Sequence, residues 1–93
     1  MKRKREKQSP DEMRRELEDG LRRGEITLEE AARRMRLIQG KTQIEYAKEL
    51  GVATRTYLEL ERGIGNPRLE TLEKIAAPFG YKIVFYPGDE ENK

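Results

Sequence analysis

The stretch Thr42-Gln43-Ile44-Glu45-Tyr46-Ala47-Lys48-Glu49-Leu50-Gly51-Val52-Ala53-Thr54-Arg55-Thr56-Tyr57-Leu58-Glu59-Leu60 decides the fold. It opens on a capping box: the Thr42 hydroxyl can accept an orphan backbone N–H while Glu45 reaches back to another. A short helix is expected over 43–50, burying Ile44, Ala47 and Leu50. Gly51 then supplies a residue that tolerates positive φ. A second helix is expected over 54–62, with Tyr57 and Leu60 inward. Ala47 is small where a second helix would cross the first. Tyr46, Leu50, Val52, Tyr57 and Leu60 sit where apolar side chains would lock the pair. No Pro interrupts either helix.

Two short helices meeting these demands within about twenty residues are those of a DNA-binding helix-turn-helix. Working outward, the punctuation continues. Thr27-Leu28-Glu29-Glu30 reads as a second capping box and Gly40 as a stop. Together they bound a helix over 28–39 with Leu28, Ala31, Ala32, Met35 and Ile38 at helical spacing. Asn66-Pro67 opens another helix, over 67–79, that lines up Leu69, Leu72, Ile75, Ala76 and Phe79. Upstream, Ser9-Pro10-Asp11-Glu12 caps a polar helix over 10–23, whose apolar line is only Met13, Leu17 and Leu21. Such a sparse face suggests a helix that orders on a partner or on DNA. Tyr81-Lys82-Ile83-Val84-Phe85-Tyr86 breaks the helical pattern. It is rich in β-branched and aromatic residues, and Pro87-Gly88 closes it, so one strand is expected.

Composition agrees with a small, mainly helical body. Of 93 residues, 41% are charged and 34% are apolar, so the core is small. Cys and His are absent, and Ser9 is the only Ser. Disulfides, zinc fingers and the commonest general base are thereby excluded. No nucleophile–base pair can be built, so the chain is not expected to be an enzyme or to hold a cofactor or metal. No apolar run approaches the ~20 residues of a membrane span, and no h-region follows the basic start, so a soluble, cytoplasmic, nucleoid-associated protein without a membrane partner is expected.

Net charge is +2, from 20 Lys and Arg against 18 Asp and Glu. Residues 1–7 carry five cations and one anion, whereas 36–75 hold seven cations and six anions. A basic arm on a nearly neutral body is a candidate nucleic-acid contact; a solvated tail is the alternative. The organisation expected is a basic arm and polar helix over 1–26, a helix-turn-helix domain over 27–80, a dimerising strand over 81–87 and a disordered acidic tail over 88–93.

Residues 27–80 resemble the Cro/C1-type (XRE-like) helix-turn-helix domains of phage repressors and bacterial regulators. The residues that carry the likeness are Thr42-Gln43, Glu45, Ala47, Leu50-Gly51-Val52, Glu61-Arg62-Gly63, Asn66-Pro67, Leu69, Leu72 and Gly80. The resemblance implies a five-helix, lambda-repressor-like domain whose helix at 54–62 enters the major groove. It implies that Thr54, Arg55 and Glu59 meet base edges and that Thr56 meets a phosphate or a base. Arg55 can read guanine through O6 and N7, and Glu59 can accept from cytosine N4. The alternative for Arg55 and Glu59 is a surface i, i+4 ion pair.

Thr42 and Gln43, at a helix N-terminus, are a candidate phosphate site; a plain helix cap, which Thr42 would satisfy alone, is the alternative. The resemblance adds that Gln43 buttresses the recognition helix. It also implies a structural ion pair between Arg36 and Glu61, phosphate contacts at Arg62 and Asn66, and a minor-groove contact by Arg68, for which a solvated Arg on the first turn of a helix is the alternative. Lys41 and Ala53 depart from the family pattern. Ala53 stands where Ser or Thr usually caps, which leaves open that Thr54 caps in its place and is lost to the bases. Tyr46, Tyr57 and Tyr81 are at core positions rather than stacking positions.

The strand Lys82, Ile83, Val84, Phe85, Tyr86 is similar to the C-terminal strand of HipB-like antitoxins, which pairs with its twin in a dimer. A lone strand exposes a row of unpaired N–H and C=O groups and needs a partner; the alternative is that the segment packs on the helices as irregular chain. Two functions follow. One is a homodimeric repressor of double-stranded DNA with a pseudo-palindromic operator. The other is an antitoxin that neutralises a cognate toxin protein and represses its own promoter.

Overall fold

Among the described residues, capping side chains open three of the five α-helices, and left-handed glycines close three. The computed structural model describes residues 8–88. The basic arm and most of the acidic tail lie outside them. Helix α1 spans Pro10–Arg22, α2 Leu28–Gln39, α3 Gln43–Leu50, α4 Thr54–Arg62 and α5 Leu69–Ala76, followed by a 3-10 turn at Ala77–Phe79. Ser9 and Thr42 form complete capping boxes. Thr27 forms half of one: its hydroxyl accepts from the Glu30 N–H, while the Glu30 carboxylate turns to Arg33 and Arg34 instead.

Two expected boundaries move. The last helix begins at Leu69 rather than at Pro67, because the chain stays extended through Arg68 (φ −78°, ψ 158°), and neither Asn66 nor any other side chain caps it. It loses α geometry after Ala76, because Pro78 has no N–H to donate to the carbonyl one turn back and its ring crowds that carbonyl.

The core draws on every helix. Leu17 of α1 joins Ala31, Ala32 and Met35 of α2, Tyr46 and Ala47 of α3, Val52 of the turn, Tyr57 and Leu60 of α4, Ile75 of α5, and Phe79. Ile44 falls outside it, 54% exposed, because Tyr46, Ala47 and Leu50 set the inward phase of α3 and Ile44 lies off that face. Leu28 and Leu69, each in a first helical turn, are also exposed.

Helix α1 is more than a partner-dependent appendage. It packs against α2, with Leu17 fully buried. Arg14 ties it to the far end of the domain: Nη2 donates to the Phe79 carbonyl at 3.0 Å, and the guanidinium carbon lies 4.7 Å from the Phe79 ring centre. Tyr81 donates its hydroxyl proton to Glu18 at 2.8 Å. The bend into α2 runs through Gly24 (φ +69°), over which the Tyr86 ring sits too close to admit a β-carbon.

The strand expected at 82–86 does not appear in the single chain. Residues 81–88 have no regular secondary structure, and among the described residues no second strand exists to pair with them. Nor is any helix among the described residues long and apolar enough to cross a membrane.

Candidate nucleic-acid interface

The turn between α3 and α4 sets the geometry of the site. Gly51 takes φ +75°, and the Val52 N–H reaches back to the Ala47 carbonyl at 2.9 Å. Ala47, fully buried, lets α4 cross close to α3. Tyr57 and Leu60 point into the core, and Tyr57 meets Tyr46 edge to face at 5.7 Å between ring centres. Tyr46 and Tyr57 are thus core residues, and Tyr81 packs on Phe79, as their positions in sequence suggested.

With that face fixed, Thr54, Arg55 and Thr56 are left on the accessible side of α4. The Arg55 side chain is 89% exposed, and its Nε sits 3.3 Å from Glu59 Oε2. Thr54 is the first helical residue and makes no capping bond; Ala53 occupies the cap position without a side-chain acceptor. The Thr54 hydroxyl is therefore not consumed in capping. Glu59 is less available: besides Arg55, it lies against the loop at Gly65, where a β-carbon would come within 3.1 Å of Glu59 Oε1.

Four side chains lock α4 to the helices behind it. Arg36 Nε and Nη2 donate to the two oxygens of Glu61 at 2.7 and 3.1 Å, and Arg36 Nη1 donates to the Lys41 carbonyl. Gln43 Nε2 donates to Glu61 Oε1 at 2.9 Å. The Tyr57 hydroxyl lies between the Ala32 carbonyl and Glu61 Oε2. Burial alone would push the Glu61 pKa up; the donors from Arg36, Tyr57 and Gln43 outweigh it and hold the carboxylate below its ordinary range. Burial, and then the bond to Glu61, push the Tyr57 hydroxyl well above its usual pKa, so it stays a donor.

The Arg36–Glu61 pair was implied by resemblance, and so was the bracing role of Gln43. The Tyr57 hydroxyl was not foreseen, because its partner carbonyl is 25 residues away and only the crossing of α2 and α4 brings them together.

A polar groove of about 370 Å³ runs beside α4. Thr56, Asn66, Arg68, Glu70, Thr71 and Lys74 are among its lining residues, so three of the expected contact residues lie together there beside Glu70, Thr71 and Lys74. Lys74 was missed; its ammonium donates to the Gly51 carbonyl at 3.2 Å, at the C-terminal end of α3, where a cation is favoured. A cation one turn before Pro78 was the available signal. Thr42 and Gln43 do not line this groove. They begin α3, beside Lys41, whose ammonium pairs with Glu49 at 2.7 Å. Arg62 is exposed at the end of α4.

The comparisons with known proteins agree with this geometry. A family model described as "Helix-turn-helix" matches residues 33–86, more than half of the chain. The chain belongs to the Cro/C1-type (XRE-like) helix-turn-helix family. It is similar to the cryptic phage CTXphi transcriptional repressor RstR of Vibrio cholerae, 39% identical over 59 residues, which cover 63% of this chain and 53% of that protein. It is also similar to an uncharacterized HTH-type transcriptional regulator of Methanocaldococcus jannaschii, 40% identical over 58 residues, covering 60% of this chain and 88% of that one. A further uncharacterized HTH-type regulator, from Archaeoglobus fulgidus, is 43% identical over 61 residues, covering 63% and 87%. The match thus spans about half the length of the Vibrio repressor and most of the two archaeal proteins. No solved structure matches the chain significantly.

Most of α2 and all of α3, α4 and α5 fall within the family match, whereas α1 and its bend lie before it. The helix that carries Leu17 and Arg14 lies outside the matched residues.

Proposed function

We propose that this protein is a sequence-specific DNA-binding transcriptional regulator that acts as a homodimeric repressor on a pseudo-palindromic operator. The observation that carries this reading is the accessible face of α4. Thr54, Arg55 and Thr56 project from a helix whose opposite side is buried and whose end is braced by Arg36, Gln43 and Tyr57 through Glu61. Rigid presentation of three polar side chains is what base readout in a major groove requires. Family membership and three relatives named as transcriptional regulators or repressors support it.

In this reading α4 enters the major groove. Arg55 releases Glu59 and takes guanine O6 and N7; Glu59 can then accept from a cytosine N4. Thr54 meets a base edge. Thr56 and Asn66 follow the phosphate backbone from the polar groove, from which Arg68 reaches toward the minor groove; Arg62 meets the backbone at the end of α4, and Gln43 presents its backbone N–H at the start of α3, where the Thr42 N–H is taken by Glu45. Two α4 helices in a dimer would read half-sites ~34 Å apart.

The test is selection of bound sequences from a random duplex library at about physiological salt. The expected result is a two-fold symmetric site with half-sites about one helical turn apart. Recovery of no sequence above background would overturn the reading.

A further inference from the structure

A duplex shows its major and minor grooves on the two sides of one sugar–phosphate strand. With α4 in the major groove and Arg68 reaching toward the minor groove, the strand that divides them must cross the protein between α4 and Arg68. The polar groove lies there. One wall is Ala53 and Thr56, from the start of α4; the other is Arg68, Thr71 and Lys74. A phosphate strand entering this passage meets the Lys74 ammonium, to which the family resemblance gives no role.

Position, donors and charge all suit Lys74 to hold a phosphate. Arg68, Thr71 and Lys74 follow one another at three-residue intervals, so from the cap position to the last turn of α5 they share one face. Lys74 thus extends the row that Arg68 begins, about 9 Å along the helix axis. Its ammonium carries three N–H groups. The Gly51 carbonyl takes one, at 3.2 Å. The exposed Glu70 carboxylate lies 3.9 Å away, beyond hydrogen-bond distance. Donors are therefore left for a ligand. Among the residues that line the groove, two cations, Arg68 and Lys74, stand against one anion, Glu70. Without Lys74 the groove would be neutral, and Glu70 would stand unopposed beside the passing strand.

We propose that Lys74 is a phosphate clamp: it keeps its bond to the Gly51 carbonyl and gives a second N–H to the strand that divides the two grooves of the operator. This deepens the DNA-binding reading and rests on it. One ammonium then joins the end of α3, the last turn of α5 and the DNA backbone. Because its anchor is the turn that aims α4, the contact fixes how α4 sits in the major groove. It carries no base preference of its own, so it acts on every duplex alike.

The experiment uses the full chain and the duplex recovered by selection. Fluorescence anisotropy gives affinity against salt for the parent, Lys74→Gln and Lys74→Arg, and then against duplexes in which single phosphates are replaced by neutral methylphosphonates. Lys74→Gln should weaken operator and scrambled duplexes alike, about fivefold at roughly 100 mM salt, and flatten the salt slope by ~0.9, the share of one phosphate. Lys74→Arg should keep the parent's slope, since it keeps the cation. In the parent, neutralising one linkage between the bases under α4 and the minor-groove position of Arg68 should cost at least threefold; in Lys74→Gln the same linkage should cost nothing further. The Lys74 side chain is 45% exposed, so the variant should fold, and Tm checks it. A strut between α5 and α3 would behave differently: Tm would fall while the salt slope and the methylphosphonate profile stayed like the parent's. That pattern, or a Lys74→Arg slope as shallow as that of Lys74→Gln, overturns the clamp and leaves the regulator reading standing. Selection that recovers no sequence overturns the reading itself.

Discussion

Arg36 and Glu61 meet as a forked pair, Nε to Oε2 at 2.7 Å and Nη2 to Oε1 at 3.1 Å, across the crossing of α2 and α4. The Glu61 side chain is 4% exposed and that of Arg36 14%. A bidentate arrangement fixes orientation as well as distance, so the pair sets the angle at which α4 leaves the body. The Tyr57 and Gln43 donors complete the carboxylate's partners, which is what makes so buried a charge tolerable.

Glu61→Gln is predicted to cost about 3 kcal/mol of stability at pH 7, because it leaves the Arg36 guanidinium enclosed without its counter-charge. The pH dependence follows from the same carboxylate. Its folded pKa lies below the ordinary value, so the stability it contributes is complete above the unfolded pKa of about 4.3 and is lost as pH falls through the folded one. Glu18, bonded by Tyr81 and Arg14, and Glu45, bonded by Thr42, shift the same way. Urea unfolding at pH 7 and at about pH 3 should show a smaller acid loss in Glu61→Gln than in the parent. An equal loss in both would remove Glu61 from the account.

Tyr46→Phe is predicted to leave stability unchanged or raise it by about 1 kcal/mol. Tyr46 is 2% exposed, and its hydroxyl finds no partner among the described residues. Burial pushes its pKa up to about 12, as for a phenol shielded from water. Its ring already meets Tyr57 edge to face, and Phe keeps that contact. Thermal unfolding decides it: a clear drop in Tm would mean the hydroxyl is satisfied after all.

Helix limits from residue 28 to residue 63 were legible because they are written locally. Thr42 caps, Gly40, Gly51 and Gly63 stop, and each signal lies within a few residues of the boundary it sets. What failed depends on contacts between distant segments. The start of α5 is the local exception: the chain stays extended through Arg68 although Asn66-Pro67 resembles a helix opening. One apolar line on α1 gave no hint that Leu17 would be fully enclosed, since enclosure comes from α2 and the core behind it. The strand at 82–86 was read from composition, but a strand needs a ladder, and one chain offers none. At the site, the face of α4 was readable from Tyr57 and Leu60 alone, whereas Lys74 and the bracing hydroxyl of Tyr57 needed the helices in place.

Leu17→Ala is predicted to cost ~2–5 kcal/mol, the range for emptying a fully buried leucine site. The result bears on α1 as a whole. If this helix were an ornament on the family's shared domain, truncating Leu17 would barely move the urea midpoint. A shift of that size with an unchanged m-value would show that α1 unfolds with the rest.

Arg55→Ala is predicted to lower affinity for the selected operator by 10- to 100-fold, in line with the ~1–3 kcal/mol carried by a bidentate base contact. The Arg55 side chain is 89% exposed and bonds only Glu59, so Tm should stay within a degree or two. Fluorescence anisotropy on operator and on scrambled duplex separates the outcomes. Equal losses on both would make Arg55 a phosphate contact rather than a reader.

Deletion of residues 1–7 is predicted to act in the opposite manner, weakening all duplexes alike. The body from 36 to 75 holds seven cations against six anions, with Glu45, Glu49, Glu59 and Glu61 in the reading region, so its own attraction for phosphate is modest. Lys2, Arg3, Lys4, Arg5 and Lys7 precede α1 and supply five more cations. Each cation that neutralises a phosphate adds about 0.9 to the slope of log affinity against log salt. Truncation should therefore flatten that slope by a few units and leave the ratio of operator to scrambled binding unchanged, measured by anisotropy between about 50 and 200 mM salt. An unaltered slope would mean the arm stays in solvent when the protein is bound, and the body's own contacts, from the polar groove, Arg62 and the start of α3, would have to supply the phosphate attraction.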